Sequence, residues 1–210
     1  MDIQSPQIPP ALAEDADLKE AARKEERVEA SLFTGESFSK ENFKAVEAAQ
    51  CHFTKCVFSS CSFERAGFWD TVFESCDLSN CDFSRAAFQR VIFRHCKLLG
   101  ADMIEATLRH VKFEDCLAGY INFADSKLDK VCFENCKLDH ASFSRCKLAA
   151  EMTDSDLTQA LFQQSPMKGL DLSTCQIPGL QVTLPDLRGA IVTPLQAAEL
   201  AGLLGVVVKE

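Results

Sequence analysis

From Phe53 onward every fifth residue is large and apolar: Phe53, Phe58, Phe63, Phe68, Phe73, Leu78, Phe83, Phe88, Phe93, Leu98, Met103, Leu108 and Phe113. Two residues earlier the position is small or β-branched, and the other three positions are mostly polar. A period of five suits neither an α-helix at 3.6 nor a long strand at two. It suits a short strand followed by a corner, because residues two apart on a strand face the same side. Each five-residue unit is then one side of a polygon, with two residues inward and three outward.

The number of sides is also encoded. Taking every fourth unit, the centres Phe53, Phe73, Phe93, Phe113 and Phe133 are all Phe, and Cys56, Cys76, Cys96, Cys116 and Cys136 fall in one column. Identity recurs every 20 residues, so one turn has four sides. The expected fold is an all-β solenoid, a quadrilateral parallel β-helix of about eight turns, roughly 38 Å long at the inter-strand spacing. A right-handed coil is the default for parallel crossovers. The bias of 16 Phe against one Trp and one Tyr fits one slot filled many times.

Eleven cysteines then read as inward-facing fillers rather than a disulfide framework or a zinc site. Neighbours five apart aim at different walls, whereas zinc ligands converge, and stacked parallel side chains hold their Cβ atoms further apart than a disulfide allows. Cys132 alone falls in an outward slot and is expected to be the most reactive thiol. The N-terminus carries no secretory pattern, and the apolar run LAGLLGVVV is too short to span a bilayer. A cytoplasmic protein without membrane contact is expected.

The division is 1–30, a partly helical tail with residues 1–10 disordered; 31–192, the repeats; and 193–210, a C-terminal helix and strand. The first turn puts Ser31, Glu36 and Glu41 inward, which suits an exposed sheet end, and the helical part of the tail is expected to cover it. After Leu148 one residue is missing near KLAAEM, and the centres resume at Met152. Ala118 is a small centre between Leu98 and Leu138, a place for local repacking or a small void. Thr193 and Gln196 form a capping box, with Pro194 at the first helical position. Ala197, Leu200, Leu203 and Leu204 make one apolar face that is expected to close the last turn, with Val206 to Val208 as a strand. With Leu195, that element is also the candidate homodimer module.

No catalytic motif occurs, and His52, His95, His110 and His140 are expected to be separate solvated residues. No cofactor, metal or catalytic role is expected. What remains is surface. Asp82, Asp102, Glu105 and Asp125 fall in outward slots of the third side, and Glu74, Glu114, Asp115 and Glu134 of the first, interrupted by Arg65, Arg85, Arg145 and Arg94. Leu99, Ile104, Leu117 and Tyr120 form an apolar corner, and Trp69 stands apart. The net charge of −9 argues against direct nucleic-acid binding through phosphates.

CDFSRAAF, CSFERAGF, CDLSNCDF and ADMIEATL resemble the pentapeptide-repeat family, which implies a right-handed quadrilateral β-helix. LFTGESF near the start and LRGAIVTPLQAAELAGLLGVVV at the finish resemble the quinolone-resistance, gyrase-protecting branch. That resemblance implies a dimer joined through its C-terminal module, with a DNA-like shape and charge that occupies the DNA site of DNA gyrase or topoisomerase IV. The members of that branch with inserted loops differ from this chain, where no loop interrupts the coils. The open alternatives are a scaffold that binds a protein partner through the apolar corner and a thiol sensor built on Cys132.

Overall fold

The computed structural model describes residues 2–209, so Met1 and Glu210, at the two ends of the expected tail and C-terminal module, lie outside the described residues. Its elements are α1 (Leu18–Lys24), β1 (Val28–Glu29), β2 (Leu32–Thr34), β3 (Ser37–Ser39), β4 (Glu47–Ala49), β5 (His52–Thr54), β6 (Val57–Ser59), β7 (Gly67–Glu74), β8 (Ala87–Arg94), β9 (Thr107–Glu114), β10 (Lys127–Glu134), β11 (Lys147–Thr153) and α2 (Pro194–Ala201), followed by a 3-10 turn. All strand pairs are parallel with a 20-residue offset, as in Phe68↔Phe88 and Phe93↔Phe113, until the slip. The main wall runs β1-β4-β7-β8-β9-β10-β11, seven strands stacked over six turns of the coil. Isolated bridges such as Asp156↔Gln176 and Asp171↔Ile191 carry the coil onward. The chain is thus a parallel β-solenoid built from pentapeptides.

The corners explain the period. From Lys40 to Arg145 every fifth residue has a positive φ, Gly100 included. Left-handed backbone turns the chain between sides, and β-branched residues resist it. No Val, Ile or Thr occupies one of these positions.

Like side chains stack inside. Phe33, Phe53, Phe73, Phe93, Phe113 and Phe133 form one file, with successive ring centroids 4.7–5.0 Å apart and nearly parallel planes. The cysteine column stands beside it. Each thiol has two main-chain carbonyls within reach of its single S–H: Cys76 Sγ lies 3.3 Å from Phe53 O and 3.5 Å from Glu74 O, and Cys96 repeats the pattern one turn on. The inward slot is therefore a small group that fills space and offers a donor to strand carbonyls. Ser126, with its hydroxyl 2.6 Å from Met103 O, does the same. All eleven cysteines are free. Burial pushes the thiols of Cys81 and Cys146 up to about 12.

The slip falls on a corner. Asp129 pairs with Ala149 and Val131 with Ala150, so Lys130 has no counterpart. β11 is seven residues long where β7 to β10 have eight.

At the N-terminal mouth α1 is capped by Asp17, whose side chain accepts from Lys19 N and Glu20 N. It buries Leu18 and Ala21 against the core, as expected of a lid over the first turn. Glu36 remains inward beneath it, its carboxyl raised above the ordinary value by burial and by Asp17.

Residues 2–12 correct the expectation of disorder. Gln4 N donates to His110 Nδ1 at 3.1 Å, Gln7 N to Asp70 Oδ1 at 3.0 Å, and Gln50 Nε2 to Gln7 O at 3.3 Å. Ala13 then pairs with Ser31 as the first rung of the sheet. The segment lies along one corner because its main chain finds acceptors there.

The C-terminal end differs as well. The capping box forms, with Thr193 N 2.8 Å from Gln196 Oε1 and Gln196 N 3.2 Å from Thr193 Oγ1. The last coil is held by Gln196, whose buried amide donates to Leu172 O at 2.7 Å and Cys175 O at 2.8 Å. Leu200 packs against the core, but Leu195, Leu203 and Leu204 are exposed. Val206 to Val208 form no strand and are exposed. The main-chain carbonyls at the tube end take a side-chain donor, which leucine lacks.

Candidate interaction surface

Three regions of the skin carry the expected features. On the third side Asp82 and Asp102 pair as neighbours in one outward column. Each carboxylate caps its own turn: Asp82 Oδ1 accepts from Ser84 N at 2.8 Å, and Asp102 Oδ1 from Ile104 N at 3.0 Å. In the same column Asn42, two turns before Asp82, and Asn122, one turn after Asp102, do the same, so the column selects an acceptor before it selects a charge. Burial and the neighbouring Asp82 raise the Asp102 carboxyl. Neither aspartate pairs with a cation among the described residues.

Glu105 and Asp125 stand in the adjacent corner column and are neutralised there. Arg85 Nε lies 2.9 Å from Glu105, and Arg145 makes a two-point contact with Asp125 at 2.7 and 2.6 Å. The guanidinium holds the Asp125 carboxyl below the usual range. The first side is likewise compensated, by Arg94 on Glu114 at 2.8 Å and on Glu74 at 4.0 Å and by Lys112 on Glu134 at 2.7 Å, while Asp115 accepts from Asn135 Nδ2. The four expected acids are therefore two uncompensated turn caps and two members of ion pairs. Exposed pairs of this kind contribute little to stability, because water and salt screen them.

The apolar corner is smaller than expected. Leu99, Leu117 and Tyr120 are exposed, and the Tyr120 ring stacks on His140 with centroids 4.6 Å apart. Ile104 belongs to the next side and is half-buried. Trp69 does not stand out from the wall: a Cβ at position 67 would lie 2.0 Å from its indole, so Gly67 lets the ring lie flat.

The third region is the C-terminal end. An apolar hollow there is lined by Leu184, Leu187, Val192, Leu200 and Leu204, and exposed Ile191 and Leu195 lie in the same segment.

Two histidine and cysteine expectations change. His110 is buried, not solvated, because Gln4 lies over it; burial, then Lys130 and Arg109, lower its pKa. Cys132 is half-buried beside a hollow of about 400 Å³ shared by Asp2 to Ser5, Lys112 and Glu134. Burial raises its thiol, with Lys112 opposing. Among the described residues no His, Cys, Asp or Glu side chains converge as a metal site, and no helix is long and apolar enough to cross a membrane.

The repeat is matched by two family models, described as a pentapeptide repeat region over residues 66–143 and pentapeptide repeats over 42–80. No curated protein sequence matches the chain. Among solved structures, full-length QnrB1, a plasmid-mediated fluoroquinolone resistance protein, is similar with a TM-score of 0.52 at 21% identity, over 86% of this chain and 99% of that one. A trypsin-treated variant of it gives 0.50 at 19%, over 88% and 99%. A pentapeptide repeat protein of the Arabidopsis thaliana thylakoid lumen gives 0.45 at 18%, over 54% and 74%. At these identities the likeness is one of fold.

Proposed function

The chain is a pentapeptide-repeat protein, and from that premise we propose that it is a non-catalytic, protein-binding rod whose partner is a type II topoisomerase, DNA gyrase or topoisomerase IV, engaged at the DNA site. The observation that carries the reading is where the polar chemistry lies. The thiols and hydroxyls of the interior donate to main-chain carbonyls, so recognition falls to the outer skin of a straight tube. That skin has a mild acidic surplus, 21 acids against 17 bases over residues 31–193, with uncompensated Asp82 and Asp102 side by side. Shape with negative charge suits a site that accepts a duplex. The likeness in fold to QnrB1, a fluoroquinolone resistance protein, supports the same choice, as does an exposed apolar C-terminal end suited to joining two rods.

The deciding experiment is gyrase supercoiling with excess protein, with and without a quinolone. The expected result is a change in supercoiling activity, in quinolone sensitivity, or in both; if neither moves, the topoisomerase reading is wrong. A second reading, a scaffold bound through the apolar corner, is favoured by exposed Leu99, Leu117 and Tyr120. In a pull-down, Leu99→Lys with Leu117→Lys should release a partner held there; equal recovery removes that corner.

A further inference from the structure

The corner beneath residues 3–9 differs from the other corners. Its column is Gln50, Asp70, Arg90 and His110, of which Asp70 and His110 are buried, while the corner column Arg65, Arg85, Glu105, Asp125 and Arg145 is exposed throughout. Residues 3–9 reach it through main-chain atoms: Gln4 N to His110 Nδ1, Gln7 N to Asp70 Oδ1, and Gln7 O from Gln50 Nε2. The spacing is commensurate. Asp70 and His110 are two coils apart, about 10 Å at the inter-strand distance, and three residues of extended chain also span about 10 Å. The acceptors are fixed before the segment arrives, since Arg90 grips both Asp70 oxygens at 2.6 Å. Pro6, Pro9 and Pro10 keep the segment extended and leave few internal donors to compete.

We propose that this corner is a docking track for an extended polypeptide segment, recognised through main-chain N–H groups three residues apart, and that residues 3–9 occupy it as an internal ligand which a segment of the same pattern from another chain can replace. Recognition through amides makes the track tolerant of side chains, as in strand addition to a sheet edge. The tethered tail competes at an effective concentration in the millimolar range, so the intact chain keeps the track closed. The inference stands on different residues from the topoisomerase reading and fails or survives separately.

His110 gives the track a pH signature. Nδ1 accepts the Gln4 amide only when the imidazole is neutral. The charged groups around it are Arg109 and Asp129 on β9 and β10, Lys130 at the next corner, Arg90 at the one before, and Asp2 on the tail. Burial and the cations favour the neutral ring. Occupancy is therefore full above the free imidazole value, about 6.5, and is lost as the pH falls below it.

The test uses the full chain with the two amides deleted, Gln4→Pro with Gln7→Pro, and a fluorescein-labelled peptide DIQSPQIPP read by anisotropy. At pH 7.5 the variant should bind saturably and at least tenfold more tightly than the wild type. Adding Asp70→Ala should weaken that binding at least tenfold. Lowering the pH to 5.5 should weaken it several-fold, and His110→Gln, which keeps an acceptor that does not titrate, should remove the pH effect. Equal binding by variant and wild type, absent binding by both, or indifference to Asp70→Ala overturns the proposal. So does hydrogen exchange on the wild type in which the Gln4 and Gln7 amides are no better protected than that of Ser5, a measurement that does not depend on the variant folding.

Discussion

Ala118 is a centre that should hold Leu or Phe, yet it is fully buried. The compensation sits three residues on. Ile121 occupies an inward column in which the turns around it carry small residues, Cys61, Cys81, Ala101, Ala141 and Ala160. A large residue in a small slot beside a small residue in a large slot keeps volume constant, and the flanking Phe113 and Phe123 rings meet edge to face at 6.0 Å. Ala118→Leu alone should overpack the level and cost about 1–3 kcal/mol, and Ile121→Ala alone about 2–5 kcal/mol. The double variant should fall short of their sum by more than 1 kcal/mol in urea unfolding; additive losses would mean that Ile121 does not fill the space Ala118 leaves. The small centre is legible in the sequence, whereas its partner is not, because nothing in a one-dimensional pattern says which neighbour takes up the volume. The absence of β-branched residues from the corners takes its meaning only from the positive φ there.

The slip in β11 removes the residue opposite Lys130, the corner rather than a residue of either flat side. Inward alternation is therefore kept on both sides, as Leu148 and Met152 show by remaining centres. A Gly inserted between Ala149 and Ala150 should restore an eight-residue strand and leave the thermal midpoint unchanged or higher, since Gly takes the left-handed corner without strain. A Gly inserted between Lys112 and Phe113 should abolish cooperative unfolding, because a one-residue shift within a strand turns its apolar face outward. Similar losses from both insertions would contradict the corner assignment. The period, the four sides and the position of this slip could be read from the chain, since all follow from apolar spacing. The docked tail could not: its contacts are main-chain amides, which every residue but proline carries. The C-terminal helix was half legible. Its capping box follows from Thr193 and Gln196, but the same Gln196 anchors the tube end beside Leu200, so Leu203 and Leu204, expected to do so, are exposed.

Charge at the scale of the rod is a matter of ladders. Pairs 20 residues apart, Arg85–Glu105, Asp70–Arg90, Arg94–Glu114 and Asp125–Arg145, cancel along the axis. A field able to attract a DNA-binding site must come from acids outside these pairs, and Asp82 and Asp102 are two such acids in adjacent turns. Their column offers a clean way to remove charge, because Asn42 and Asn122 already cap the same turn through Oδ1. Asp82→Asn with Asp102→Asn keeps both turn hydrogen bonds and deletes two charges. Stability at neutral pH should hold within about 0.5 kcal/mol or rise. Burial and Asp82 make ionised Asp102 unfavourable in the fold, and a carboxyl raised on folding stabilises only as pH falls toward it. If the rod enters a topoisomerase by its charge, the double variant should need several-fold more protein to alter supercoiling at low salt, and the gap to wild type should shrink as salt screens the field. An unchanged titration with an intact fold would make these carboxylates turn caps alone, leaving the rod's shape or its apolar regions to carry recognition.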